Sequence, residues 1–236
     1  MTEPIIRVRD LHRVYQLGGE DVHAVQGITL HILPGKMTAV VGRSGSGKTT
    51  FLNLISGLDR PTSGEVWMDG QRIDQMDESA LLRLRQQKIG FVFQAFGLLP
   101  LLSAAENVGV PLRMRGMSNQ EREERVLQAL TWVGLLERAR HRPYELSGGE
   151  QQRVAIARAL AAGPSIILAD EPTGQLDSAT GRRILDLLRR LVAEQHMTIV
   201  VVTHDPQVML EADVVHELRD GHLIDTRYGA HLVAVN

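Results

Sequence analysis

The sequence contains no cysteine, which excludes disulfides, thiolate metal sites and cysteine nucleophiles, and which is compatible with the cytoplasm without establishing it. It also lacks an excess of positive charge: 26 Lys and Arg stand against 28 Asp and Glu, for a formal net charge of −2. Nucleic-acid binding usually demands a basic face, so no nucleic-acid partner is expected. Long apolar runs are missing, and no stretch approaches the roughly 20 residues of a membrane-spanning helix. The first residues (Thr2, Glu3, Arg7, Arg9, Asp10) lack the apolar core of a secretory signal, so work at a membrane is expected to go through a partner. Repeats and disordered linkers are not found either. What remains is ordinary for a globular protein: 236 residues, 43% hydrophobic and 23% charged. That suffices for one domain with a full core and room for an inserted lobe.

The pattern along the chain is β-like at first. Strands are expected at 5–8, 24–32 and 65–68, the last followed by an Asp69-Gly70 turn, and Pro61-Thr62-Ser63-Gly64 is a turn cluster. A short buried strand at 37–41 precedes an apolar helical run at 50–55 that Gly57 ends. A helix over 77–87 with Leu81 and Leu84 on one face leads into a β-rich run at 88–93. From about 95 to 163 the pattern becomes helical. Ser118 with Glu121 is a capping box ahead of Val126, Leu127, Leu130 and Val133, and a further helix runs from near Ser147 to Ala162. Continuous apolar runs at 165–169 and 198–203 read as central parallel strands, separated by an amphipathic helix over 179–194. Residues 214–218 and 222–224 read as a closing hairpin.

Between the strand at 37–41 and the helix at 50–55 lies Gly42-Arg43-Ser44-Gly45-Ser46-Gly47-Lys48-Thr49, followed by Thr50. It fits the phosphate-loop template G-x-x-x-x-G-K-[ST]. Its glycines let successive N–H groups turn toward phosphate oxygens, and the helix N-terminus behind them adds partial positive charge. Lys48 neutralises the β- and γ-phosphates as a point charge, and the Thr49 hydroxyl can ligate Mg²⁺. A nucleoside triphosphate is the expected ligand.

Two further constellations bear on what is done with it. Ile166-Ile167-Leu168-Ala169-Asp170-Glu171 is an apolar strand ending in paired carboxylates, at the sheet edge where α/β folds bind ligands. Asp170 can hold Mg²⁺ through a water, and Glu171 can orient or deprotonate an attacking water; solvated loop acids are the plainer alternative. Leu146-Ser147-Gly148-Gly149-Glu150-Gln151-Gln152-Arg153 opens a helix with a hydroxyl and backbone N–H groups on its positive end. Taken alone it is a Ser-Gly-Gly cap. As a second anion-binding surface about a hundred residues from the first, it fits the nucleotide of another subunit.

These motifs together resemble the nucleotide-binding subunit of an ATP-binding-cassette (ABC) transporter, with the run from Leu146 matching that family's signature and the likeness extending over about 8–225. The resemblance implies an α/β P-loop NTPase of ABC ATPase type. It has a RecA-like core (about 1–94 and 164–236), an N-terminal antiparallel β-subdomain and an inserted α-helical signature subdomain (about 95–163), all in a single domain. It implies ATP and Mg²⁺ as cofactors and ATP hydrolysis as the reaction. Two copies would stack head to tail, each ATP lying between the phosphate loop of one and the signature of the other, and integral membrane permease subunits would be the further partners.

Residue by residue, Gln94 matches the glutamine that reaches Mg²⁺ or the attacking water, His204 the histidine that touches the γ-phosphate, and Tyr15 the aromatic that stacks on adenine. Asp177 matches the aspartate that works across the dimer. Each has a plainer reading: a polar strand end, a solvated histidine, a strand aromatic, a turn acid. Phe96, Leu98 and Leu99 either pack the helical lobe or line a groove for a helix of the membrane partner. The wording at 56–64, 94–100 and 105–108 is similar to the lipoprotein-releasing and macrolide-export ATPase subfamily, at the cytoplasmic face of the bacterial inner membrane. The cell-division ATPase of that group, a non-transport regulator, is the alternative. Arg43 stands where this subfamily often has proline, Glu150 replaces the commoner glutamine, and Gln175 replaces a small residue or asparagine.

Overall fold

The computed structural model describes residues 3–229, the Leu17 side chain excepted. Two sheets share the work. An antiparallel sheet has the order β2-β1-β4-β5, built from β1 (Ile6–Leu17), β2 (Glu20–Ile32), β4 (Ser63–Met68) and β5 (Gln71–Arg72). A second sheet runs β10-β9-β3-β8-β7-β6, from β3 (Met37–Val41), β6 (Ile89–Val92), β7 (Ile166–Asp170), β8 (Thr198–Thr203), β9 (Val214–Arg219) and β10 (His222–Tyr228). Strands β3 and β6–β9 are parallel, and β10 alone runs back along β9.

The central strands are apolar throughout because both of their faces are covered. Every residue of β3 and β8 is buried, and alternate side chains serve opposite cores, as the two-residue period of a strand dictates. Ile167, Ala169, Ile199 and Val201 join a core shared with the helices. Ile166, Leu168, Val200 and Val202 join the core that faces the antiparallel sheet. Helix α1 (Lys48–Ile55) fills the latter through Phe51, Leu52, Leu54 and Ile55. The former is closed by α3 (Ala104–Met114), α4 (Asn119–Trp132), α5 (Gly148–Ala161) and α6 (Ser178–Gln195). Helices α2 (Glu78–Lys88) and α7 (Pro206–Glu211) complete the set.

Besides the earlier start of β2, the longer β10 and the short helix α7, the structure departs from the sequence reading in two larger places. Strand β1 continues to Leu17 rather than stopping at Val8, because register shifts between Val8 and Val14 interrupt its alternation. At Asp10, with φ of 46°, the chain bulges and its amide turns to the Thr29 hydroxyl at 2.9 Å, so the two-residue period is lost from the sequence while the pairing persists. Helix α3 was not separately expected. Its start is a capping box of Ser103 and Glu106 like that of Ser118 and Glu121, but Gly109 and Pro111 lie within it and read as breakers. Fully buried Asn107 anchors it, its amide donating to the carbonyls of Leu99, Leu102 and Ser103 at 3.0–3.1 Å.

Candidate functional site

The C-terminal ends of β3, β7 and β8 deliver their loops to one cleft of about 480 Å³. It is lined by Ser44, Gly45, Gly47, Lys48, Thr49 and Thr50 from the phosphate loop, by Gln94, Asp170, Glu171 and His204 from the strand ends, and by Val22, His23 and Ala24 from β2. The loop needs its glycines. Gly47 has φ of 94°, and a Cβ there would come to 2.2 Å from the Ala24 carbonyl oxygen, so no other residue fits. The first turn of α1 behind it carries no acidic side chain, which leaves its positive end uncompensated. Lys48 is buried, its ammonium donating to the carbonyls of Gly42 at 2.8 Å and Arg43 at 2.9 Å.

Asp170 lies across the cleft with its carboxylate oxygens 3.3 and 3.4 Å from the Thr49 hydroxyl. Burial raises the Asp170 carboxyl above its ordinary range and Glu171 adds repulsion, while Thr49 and Lys48 pull the other way. A carboxylate penalised in this way gains from a nearby cation. One hydroxyl and one carboxylate form a donor set that suits Mg²⁺, which takes phosphate and water oxygens for its remaining positions.

Glu171 is fixed on both oxygens. Oε2 accepts from the Thr203 hydroxyl at 2.7 Å, and Oε1 lies 2.8 Å from His204 Nδ1. An ionised carboxylate can only accept, so this contact puts a proton on Nδ1. The backbone of Glu171 is left-handed, with φ of 45°, and its amide is tied to the Val202 carbonyl at 2.9 Å. A non-glycine residue in that conformation needs surrounding contacts to hold it, and here β8 supplies them. Gln94 is exposed at the cleft edge, and its amide nitrogen lies 3.0 Å from where a Cβ on Gly174 would sit.

Other expected residues lie outside this cleft. Tyr15 sits on β1 opposite Val22, a lining residue. Its hydroxyl donates to Asp59 at 2.6 Å, and the Arg13 guanidinium covers one ring face at 4.3 Å. Leu146 is buried, Ser147 caps α5, and Gly148, Gly149 and Glu150 form the first turn. A Cβ on Gly149 would meet the Thr180 methyl at 2.4 Å. Asp177 caps α6, accepting from Ala179 and Thr180 amides at 3.1 and 3.0 Å. Arg43 contributes its carbonyl to Lys48 and to the Ser46 amide.

Of the two readings of the apolar loop after Gln94, packing of the helical lobe fits Leu98, and groove lining fits none of Phe96, Leu98 and Leu99. A groove of about 420 Å³ does exist, but Leu58, Leu82, Phe91, Phe93, Pro111 and Met114 are among its lining and those three residues are not. Phe96, with φ of 58°, turns toward Gly148, and Leu98 packs on the helical core. Sequence reasoning missed four supporting residues. Thr203 steadies Glu171, Asp59 holds Tyr15, Arg158 donates to the carbonyls of Phe96 and Gly97, and buried Gln152 donates to the Pro172 carbonyl at 2.6 Å. Two carried a local signal, Thr203 beside His204 at a strand end and Gln152 within the run from Leu146 to Arg153.

A family model described as ABC transporter matches residues 25–174. The uncharacterized ABC transporter ATP-binding protein MJ0796 of Methanocaldococcus jannaschii is 48% identical over 223 residues, covering 93% of this chain and 95% of that protein. The macrolide export ATP-binding/permease protein MacB of Agrobacterium fabrum is 48% identical over 224 residues. That match covers 95% of this chain but 34% of the relative, so the chain spans about a third of its length. Among solved structures, a dimeric post-hydrolysis state of the MJ0796 cassette bound to ADP and Pi superposes with a TM-score of 0.86 at 44% identity, covering 94% of this chain and 98% of that one.

Proposed function

The chain belongs to the ABC transporter family and is an ATP-binding, ATP-hydrolysing cassette, and on that premise we propose that two copies close head to tail on two ATP molecules to drive a separate membrane permease. The permease is of the lipoprotein-releasing or macrolide- and peptide-export type. The whole chain acts as one cassette, with a helical subdomain at about 95–163 set into a core of 1–94 and 164–236. It works at the cytoplasmic face of a bacterial inner membrane, held there by the permease; among the described residues no helix is long and apolar enough to cross a membrane.

The observation that carries this reading is the separation of the two anion-binding helix starts. The α1 start lines the cleft with Glu171 and Asp170, whereas the α5 start lies outside it. A nucleotide on the first leaves the second for a nucleotide held by another copy, and a dimer of this symmetry closes on itself.

In the site, the loop amides and Lys48 bind the β- and γ-phosphates. Thr49, Asp170 and Gln94 would hold Mg²⁺, which neutralises phosphate charge when bound. Tyr15 stacks its free face on adenine. Glu171, held by Thr203 and His204, orients the attacking water and takes its proton, and the His204 side chain touches the γ-phosphate. Ser147, Gly148 and Gly149, with Leu146 packed beneath, complete the partner's site, Glu150 lies in the same helix turn, and Asp177 works across the same interface. Because both copies would contact the γ-phosphate, its loss reopens the dimer. The groove beside Phe91 and Phe93 receives a helix of the permease.

The test is Glu171→Gln. It is expected to accumulate as an ATP-bound dimer on size exclusion, with turnover reduced at least about 100-fold. Wild-type turnover in that variant would remove Glu171 from the mechanism. Co-purification with an integral membrane protein that stimulates the ATPase supports transport; ATPase activity indifferent to every such partner favours the regulatory role instead.

A further inference from the structure

The two helix N-termini offered to phosphate differ in charge. The first turn of α1 has no acid, whereas that of α5 carries Glu150. Glu150 Oε2 accepts from both the amide and the hydroxyl of Ser147, each at 2.9 Å, and the Glu150 amide donates back to Ser147 Oγ at 3.3 Å. The hydroxyl proton of Ser147 is therefore already committed. The other oxygen of the carboxylate, Oε1, stands 3.7 Å from Arg138 Nε, and Arg138 Nη1 lies 3.0 Å from His141 Nε2. The hydrogen bonds from Ser147 hold the Glu150 carboxyl below the usual range, so it is an anion at neutral pH.

We propose that Glu150 is a resident anion on its own helix: it occupies the Ser147 hydroxyl that the other copy's γ-phosphate would take, and must turn toward Arg138 before the ATP sandwich can close. This rests on the sandwich reading above. Two anions compete for one donor and one positive helix end, and only one can hold them at a time. When the Ser147 proton swings to phosphate, the carboxylate loses a hydrogen-bond donor and faces a like charge. Arg138 and Arg153 both act on this carboxylate, and Arg138 is the one in ion-pair contact that offsets both losses. Glu150 is thus a positioning residue that sets how much nucleotide is needed for closure. A glutamine at this place keeps the capping geometry, because either Glu or Gln completes a capping box, and it removes only the charge.

The inference is tested in the Glu171→Gln background by measuring dimer fraction against MgATP concentration, with melting temperature as a check on folding. Glu150→Gln is expected to lower the ATP concentration for half-maximal dimer about tenfold, the equivalent of roughly 1.4 kcal/mol. Arg138→Ala is expected to raise that concentration about threefold when Glu150 is present and to leave it unchanged when Gln replaces it, since coupled residues show non-additive effects. A capping role alone predicts no shift with Glu150→Gln and an equal Arg138→Ala effect in both backgrounds. Either result overturns the proposal while leaving the sandwich intact. Absence of any ATP-dependent dimer overturns the sandwich and this inference with it.

Discussion

Lowering the pH should loosen this fold at a single buried histidine before its carboxylates respond. His216 lies on β9 directly opposite Thr226 on β10, 4% exposed, with Nδ1 at 3.0 Å from the Thr226 hydroxyl. Burial lowers its pKa from 6.5 to about 4, with a backbone hydrogen bond at His31 opposing in part. The folded pKa is the depressed one, so the contribution is fully present above about pH 6.5 and is lost as pH falls toward about 4. The whole shift corresponds to about 3 kcal/mol, and at about pH 5 the loss is already about 2 kcal/mol. Against a domain stability of about 5–15 kcal/mol that is readily measured. The carboxyls of Glu106, Glu121, Glu150 and Asp177 are held low, so their share is lost only at more acid pH. Asp170, whose carboxyl is raised, acts in the opposite sense. Urea unfolding of wild type and His216→Gln at about pH 7.5 and pH 5 separates these terms. The stability difference between the two proteins should shift by about 2 kcal/mol in favour of the variant on acidification. A difference that stays constant across the two pH values would refute the reasoning.

Lys48→Ala should abolish ATP binding or turnover, read by nucleotide titration and phosphate release, because among the described residues no other lysine or arginine lines the cleft beside Thr49. Thr203→Val removes one of the two contacts on Glu171. Steady-state kinetics should show kcat falling about tenfold with KM for ATP little changed, for a lost charge-assisted hydrogen bond of about 1.5 kcal/mol. Gly149→Ala forces a methyl against Thr180. Calorimetry should show a lower melting temperature for it, partly restored by Thr180→Ser, whose missing methyl relieves the contact.

The parts of the fold that the sequence revealed were those governed by short-range rules. The apolar runs of β7 and β8 are legible because burial on both faces leaves no polar alternation to disguise. The capping box at Ser118 and the loop at 42–49 are legible because their donors and acceptors lie a few residues apart. What was hidden depends on distant chain. The hold of Asp59 on Tyr15 spans 44 residues, and the grip of Arg158 on the loop at Phe96 spans 62. Neither leaves a periodic trace. The choice between lobe packing and groove lining for Phe96, Leu98 and Leu99 was hidden for a related reason, since a positive φ at Phe96 redirects a side chain without changing its hydropathy.

The bond from Gln152 to the Pro172 carbonyl joins parts that the two sites would otherwise keep apart. Gln152 lies in the second turn of α5, just behind the end that would meet a neighbour's nucleotide, and Pro172 directly follows Glu171. In the proposed sandwich, a pull on that helix end by one ATP would be delivered, through a stiff helix and one buried contact, to the acid that acts on the other. The two active sites of the dimer would then share a linkage, and arrival of the second nucleotide would be felt at the first.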